Sequence, residues 1–186
     1  VLVIDNFTTG KKNNLKRVIK KIKIVNMDIR NFKSINKLFK GVDNVFHLAA
    51  IADIVPSIEN PQNYFTTNVH GTFNVLKASL ENRVNRFIYS ASSSCYGIPK
   101  KYPTSENEKI STKYPYALTK RLGEELVLHF AEVYKLNATS LRFFNVYGKR
   151  SRTSGTYGAV FGVFLAQKIA NKPFTVVGNG MQKRDF

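Results

Sequence analysis

Short apolar runs alternate along the chain with longer stretches of helical spacing. Val1–Ile4, Ile22–Val25, Asn44–Leu48, Arg86–Ser90 and Ala138–Phe143 read as strands. Between them, Phe32–Phe39 places Phe32, Ile35, Leu38 and Phe39 at helical intervals. Tyr64–Leu80 has a long helical pattern with Asn68 and Gly71 inside it. Tyr116–Tyr134 has another, with Leu118, Leu122, Leu126 and Phe130 along one face. Tyr157–Ala170 reads as a helix and Phe174–Val177 as a short strand. Strands separated by helices predict βαβ units, and therefore an α/β fold with a doubly wound parallel sheet.

Composition narrows the picture. A length of 186 residues suits one domain with a real core, or one domain and part of a second. No apolar run is long enough to span a bilayer. A single cysteine, Cys95, excludes an internal disulfide framework and fits a reducing cytoplasm, the expected location. The net charge of +17 raises nucleic acid or an anionic membrane as partners. The lysines are scattered, with a modest cluster over Lys11–Lys23 and no basic-aromatic motif of a nucleic-acid module. A solvated lysine-rich surface is the plainer reading, with neither nucleic acid nor membrane as partner. The same field favours a small anionic ligand.

Asp5 closes the first strand. In a doubly wound dinucleotide fold the second strand ends in an acid that accepts hydrogen bonds from a ribose. The glycine-rich pyrophosphate turn lies about 20 residues before that acid. Only four residues precede Asp5, so the chain reads as lacking the first strand, that turn and the first helix. Alone, an acid after a strand is as well explained as a turn cap.

Two stretches carry the chemistry. In "YPYALTK", Tyr116 and Lys120 stand four apart, on one face at the start of a helix. Pro115 suits a first helical turn, with Ser111 or Thr112 as possible caps. A tyrosine titrates near pH 10, and a nearby ammonium favours its phenolate, which brings it closer to working pH as an acid-base group. In "FIYSASSSCYG", a strand runs out into Ser90, Ser92, Ser93 and Ser94. Hydroxyls at the carboxyl end of a parallel strand lie where such folds bind ligands. Each stretch alone has a structural explanation: a half-buried packing tyrosine and a polar loop.

Strand, serine loop and Tyr-x-x-x-Lys in that order are more specific. Here the sequence resembles the extended short-chain dehydrogenase/reductases, and within them the NAD-dependent epimerase/dehydratase family, nearest the UDP-sugar 4-epimerases. The resemblance runs over "VIDNFTTG", "MDIRN", "VFHLAA", "NPQNYFTTNVHGTFNVLKAS", "SASSSCYG", "YPYALTK", "LRFFNVYG" and "GNGMQKRDF", nearly the whole chain.

The resemblance implies roles. Ser92, with Ser93 beside it, matches the catalytic serine that holds the substrate oxygen. Tyr116 matches the base, and Lys120 its partner, which also holds the nicotinamide ribose. Asp5 and Asn6 match the adenosine ribose contacts, and Asp28 and Ile29 the pair beside the adenine. Leu48, Ala49 and Ala50 match the strand end that passes the pyrophosphate. Asn68 lies in the helix that supports the site. Phe143 and Phe144 match the segment below the nicotinamide, with Asn145 reaching the nucleotide diphosphate. Tyr157, Val160 and Phe161 border the nucleotide base, and Arg184 grips the diphosphate.

The implied reaction is transient oxidation at C4 of a UDP-sugar with NAD as cofactor, glucose/galactose being the first choice of sugar. The N-acetylglucosamine and glucuronate pairs stay open. Ser93 and Ser94 occupy the place of the Asp-Glu pair of dehydratases, which counts against a dehydratase; a decarboxylase and a non-catalytic NAD-binding relative are further alternatives. Asp5 favours NAD over NADP, since a carboxylate repels a 2′-phosphate. The expected division is residues 1–148 as the NAD-binding domain, without its first strand and helix, and 149–186 as part of a substrate-binding region. A homodimer through the faces of Tyr64–Leu80 and Tyr116–Tyr134 is expected of the full-length protein. Met27 stands where relatives often have Gly.

Overall fold

The computed structural model describes residues 1–150, 160–176, 178–183 and 185–186. Among them five strands form: β1 (Leu2–Asp5), β2 (Lys23–Asn26), β3 (Asn44–His47), β4 (Arg86–Ser92) and β5 (Ala138–Phe143). Every pairing is parallel. β1 pairs with β2 from Leu2–Lys23 to Asp5–Asn26. β4 is central to a second ladder, pairing with β3 from Asn44–Arg86 to His47–Tyr89 and with β5 from Phe87–Ala138 to Ser92–Phe143. In the doubly wound order 3-2-1-4-5-6 these residues supply positions 3-2 and 4-5-6, as two hydrogen-bonded parts rather than one continuous sheet. The parts share a core: Ile4 of β1 and Val45 of β3 pack against the same cluster as Ile35, Leu76, Phe87 and Val127.

The helices are α1 (Phe32–Asn36), α2 (Ile54–Glu59), α3 (Pro61–Tyr64), α4 (Gly71–Glu81), α5 (Pro115–Val133) and α6 (Val160–Ile169). The Asn31 side chain caps α1 by accepting from Ser34 N at 3.2 Å. Lys37–Phe39 then tightens to 3-10 geometry, so the helix expected over Phe32–Phe39 is a composite. The pattern over Tyr64–Leu80 likewise divides: Phe65–His70 is a π-helical turn between α3 and α4. Lys12–Lys21 coils into a 3-10 segment without a buried residue, the solvated basic surface expected of its lysines.

α5 begins at Pro115, the favoured first position. Its N-cap is Tyr114, without a side-chain cap, so neither Ser111 nor Thr112 serves. Ala117, Val127 and Phe130 are buried, whereas Leu118 is exposed and Leu122 and Leu126 are intermediate, so the inward face is rotated from the expected leucine row. Gly123 lets α5 approach β4 closely: a Cβ there would collide with the Tyr89 hydroxyl. Residues 174–176 form no strand, contrary to the reading of Phe174–Val177, because an apolar run without a partner strand has no ladder to join. No described helix is long and apolar enough to cross a membrane.

Candidate active site

β4 alternates buried and half-buried residues up to Ser92 at its carboxyl end. There the chain turns into a 3-10 segment, Ser93–Tyr96, with Ser92 as cap. The Ser92 Oγ accepts from Ser94 N at 3.2 Å and from the Ser94 hydroxyl at 2.8 Å. With its acceptor side engaged by Ser94, Ser92 keeps its own O–H to donate, and it lines the same cleft as Tyr116.

Tyr116 and Lys120 lie one turn apart on α5, as the spacing predicts. The lowering expected from the nearby ammonium is not seen: burial raises the Tyr116 pKa above the ordinary phenol value, the Ser92 hydroxyl opposes that rise and the Asp53 charge adds to it. Lys120 is only 4% exposed. Its Nζ donates to the Ser90 carbonyl and stands 4.4 Å from the centroid of the Tyr89 ring. Burial brings its pKa down to about 8, with Glu124 pulling the other way. The ammonium is thus held by a dipole and a π-face rather than by a full counter-charge.

Asn68 pins the other wall. Its Oδ1 accepts from Ile51 N at 2.9 Å, and its Nδ2 donates to Ile51 O at 3.0 Å and to Thr119 Oγ1 at 3.1 Å. This ties the segment after β3 to α5. Tyr64 closes the corner by donating to the Ala52 carbonyl and meeting the Tyr116 ring edge-to-face at 6.5 Å. The result is a cleft of about 360 Å³ lined by Asp53, Ser92, Ser93, Tyr116, Phe143 and Asn145, among others.

The remaining expected residues fall in distinct places. Phe143 ends β5, and Phe144 stacks on Tyr96 at 6.2 Å. Asn145 donates from Nδ2 to the Asp185 carbonyl at 2.7 Å. Leu48 lies one residue past β3 and is 65% exposed, followed by the half-exposed Ala49 and Ala50. Val160 and Phe161 open α6, where Phe161 packs on Tyr147 at 5.3 Å. Tyr157 and Arg184 lie outside the described residues.

At the ends of β1 and β2 a second cluster forms. Asp5 Oδ1 accepts from Phe7 N at 2.7 Å, and the turn wraps the carboxylate so closely that a Cβ on Gly10 would stand 3.0 Å from Oδ2. Asn6 donates to Asp28 at 3.0 Å, and Asp28 also holds Arg30 at 2.7 Å. The Arg30 hydrogen bond brings the Asp28 pKa down to about 2. The Ile29 side chain is part of the core, and its carbonyl accepts from Asn74 at 3.0 Å. A strand-end carboxylate cradled by a glycine turn, beside a polar Asn6–Asp28 pair, fits the adenosine half of a dinucleotide. The Lys120–Tyr116–Ser92 row fits its nicotinamide half.

Several cleft residues were not anticipated: Asp53, Tyr102, Thr104, Lys113 and Asp185. Asp53 has φ +83°, a strained conformation for a non-glycine residue. Behind the site, Glu124 is 3% exposed and accepts from Arg121 (2.9 Å), Ser140 (3.0 Å) and Arg142 (2.9 Å). Arg142 in turn donates to the Tyr96 hydroxyl at 2.7 Å. Glu124 follows Lys120 by four residues, the same helical interval that pairs Lys120 with Tyr116. Among the described residues no cluster of His, Cys, Asp and Glu could hold a metal.

The chain resembles known proteins throughout. A solved UDP-N-acetylglucosamine 4-epimerase from Methanobrevibacter ruminantium M1 superposes with a TM-score of 0.94 at 33% identity, over 100% of this chain and 60% of that one. The UDP-glucose 4-epimerase of Thermotoga maritima, solved with UDP-glucose, superposes with a TM-score of 0.91 at 32% identity and the same coverage. UDP-glucuronate 4-epimerase 1 of Arabidopsis thaliana is 35% identical over 188 residues, which are 95% of this chain and 42% of that protein. The chain therefore spans about 60% of the solved relatives' length and less of the plant protein's. The model of the NAD dependent epimerase/dehydratase family matches residues 1–186, and the chain belongs to that family.

Proposed function

We propose that these residues form the catalytic portion of an NAD-dependent nucleotide-sugar 4-epimerase acting on UDP-linked hexoses. The observation that carries this reading is that Ser92 and Tyr116 line one cleft, with the buried Lys120 one helical turn behind Tyr116. Residues 1–148 are the dinucleotide-binding domain and 149–186 part of the substrate region.

Bound NAD would supply the redox chemistry, removal and return of hydride at the sugar C4. The protein's part is proton transfer and position. Tyr116 takes the proton of the C4 hydroxyl and later gives it back. Ser92 donates to the same oxygen and keeps it within reach. Lys120 would hold the nicotinamide ribose, and its charge would favour the phenolate in the complex. Asp5 and Asn6 would take the adenosine ribose, and Asp28 would lie beside the adenine. Asn145 and Arg184 would bind the diphosphate, and Phe161 would border the base. Tyr116 is buried, so its ionisation depends on these neighbours rather than on water.

Glucose/galactose is the preferred sugar pair. Relatives named for glucose, N-acetylglucosamine and glucuronate substrates all resemble the chain at similar identity, so the resemblance supports the UDP-sugar class. Ser93 and Ser94 disfavour elimination of water, and hence a dehydratase. Incubating the full-length protein with UDP-galactose and separating the products by chromatography tests this reading. Formation of UDP-glucose, lost in Tyr116→Phe, is the expected result. Bound NAD with no conversion of any UDP-sugar would favour a non-catalytic relative.

A further inference from the structure

One residue from the far end of the chain joins two walls of the cleft. The Asp185 carboxylate accepts from Thr104 N at 2.9 Å and from Thr104 Oγ1 at 2.6 Å, both bonds through Oδ2. The Asp185 carbonyl accepts from Asn145 Nδ2 at 2.7 Å and from Asn145 N at 3.3 Å. Thr104, Asn145 and Asp185 all line the cleft that holds Ser92 and Tyr116. The next residue, Phe186, anchors the segment from outside through Tyr147 (6.0 Å) and Phe161 (5.1 Å).

The two halves of Asp185 do different things. Its backbone carbonyl holds Asn145, two residues past the end of β5. Its side chain reaches across to the loop that β5 also meets at Glu106, whose carbonyl accepts from Arg142 Nη1 at 3.2 Å, and a charged acceptor shared by two donors of one residue fixes the place of Thr104. Asn145 has one amide hydrogen on the Asp185 carbonyl, which sets the orientation of its amide toward the cleft.

We propose that Asp185 is a positioning residue that latches the 102–104 loop to Asn145 across the cleft and so sets the grip on the nucleotide diphosphate of the substrate. This rests on the reading of the cleft as a UDP-sugar site. Ser92 and Tyr116 sit on other elements, so the latch governs how tightly the substrate is held more than how fast it reacts. Loss of interactions of that kind raises KM and leaves kcat nearly unchanged.

The test uses the full-length protein and two readouts. Amide exchange over residues 102–106, with no ligand, reports the latch itself. UDP affinity by calorimetry and the KM and kcat for UDP-galactose report its effect. Asp185→Ala is expected to speed exchange at Thr104, weaken UDP roughly tenfold and raise KM similarly, with kcat within about threefold. Asp185→Asn, which keeps an acceptor, should recover part of the affinity. Thr104→Val, which keeps the amide but loses the hydroxyl, should show a smaller loss in the same direction. The double variant Asp185→Ala/Thr104→Val should be no weaker than Asp185→Ala alone. Faster exchange with unchanged UDP affinity would overturn the positioning role, as would a fall in kcat as large as the rise in KM. Should Asp185→Ala fail to fold, Thr104→Val decides: unchanged UDP affinity and KM overturn the proposal. Failure of the wild-type protein to bind UDP would sink the UDP-sugar reading and this role with it, and the exchange data would still show whether the latch exists.

Discussion

The Lys120 ammonium lies 4.4 Å from the centroid of the Tyr89 ring and donates to the carbonyl of the adjacent Ser90. Tyr89 belongs to the central strand and Lys120 to the helix packed on it, with Gly123 allowing the approach. A buried cation is costly, and its depressed pKa, about 8, expresses that cost. Its retention one helical turn from Tyr116 accords with the role proposed for it.

Lys120→Met should therefore lower activity and raise stability together. Loss of support for the phenolate is expected to reduce kcat by about 10²–10⁴. Removing the buried charge should stabilise the fold by about 1–3 kcal/mol at pH 7. In the wild type, the unfolded lysine binds a proton up to its ordinary value while the folded one releases it near pH 8, so Lys120's contribution to stability rises with pH from about 8 upward. Urea titrations of both proteins across pH 7–10 check this: the wild-type gain with pH should be absent in the variant.

The Ser92 hydroxyl holds the Tyr116 pKa below where burial alone would put it. Ser92→Ala should shift the acid limb of the kcat/KM profile of the full-length protein to higher pH, besides lowering its plateau. Asp53→Asn should shift the limb to lower pH, since the Asp53 charge opposes phenolate formation. pH–rate profiles of the two variants should diverge in opposite directions; shifts of the same sign would refute the assignment of Tyr116 as the titrating base.

Glu124 balances Arg121 and Arg142 behind the site. Glu124→Leu leaves both guanidinium groups short of a buried partner and should cost about 3–5 kcal/mol in urea unfolding. The Arg142–Tyr96 hydrogen bond and the Tyr96–Phe144 stack hang on the same network, so near-UV circular dichroism should change as well.

Asp28 supports the fold in its ionised form. Its pKa is lowered from 3.8 to about 2, chiefly by Arg30, so its contribution is present above about pH 4 and fades as pH falls toward 2. Arg30→Ala should remove most of it. Because the pair is partly exposed, the expected effect is below 1 kcal/mol at pH 7. Acid unfolding curves of the two proteins should converge below pH 2.

Local pattern alone determined much of this molecule. The limits of β5 at Ala138 and Phe143, the start of α5 at Pro115, and the meeting of Tyr116 and Lys120 on one helix face follow from strand alternation, proline's fixed φ and the 3.6-residue turn. Tertiary structure decided what those rules do not reach. The π-helical turn at Phe65–His70 is invisible to periodicity; it carries Asn68, whose amide makes three hydrogen bonds to two other segments. The run at 174–176 has strand composition but no ladder, because strand formation needs a partner that sequence spacing does not supply. Asp185 and Thr104 are 81 residues apart, and only folding shows that one holds the other across the cleft. Short-range order is set by backbone sterics and local hydrogen bonds, whereas the cleft is set by contacts between elements distant in sequence.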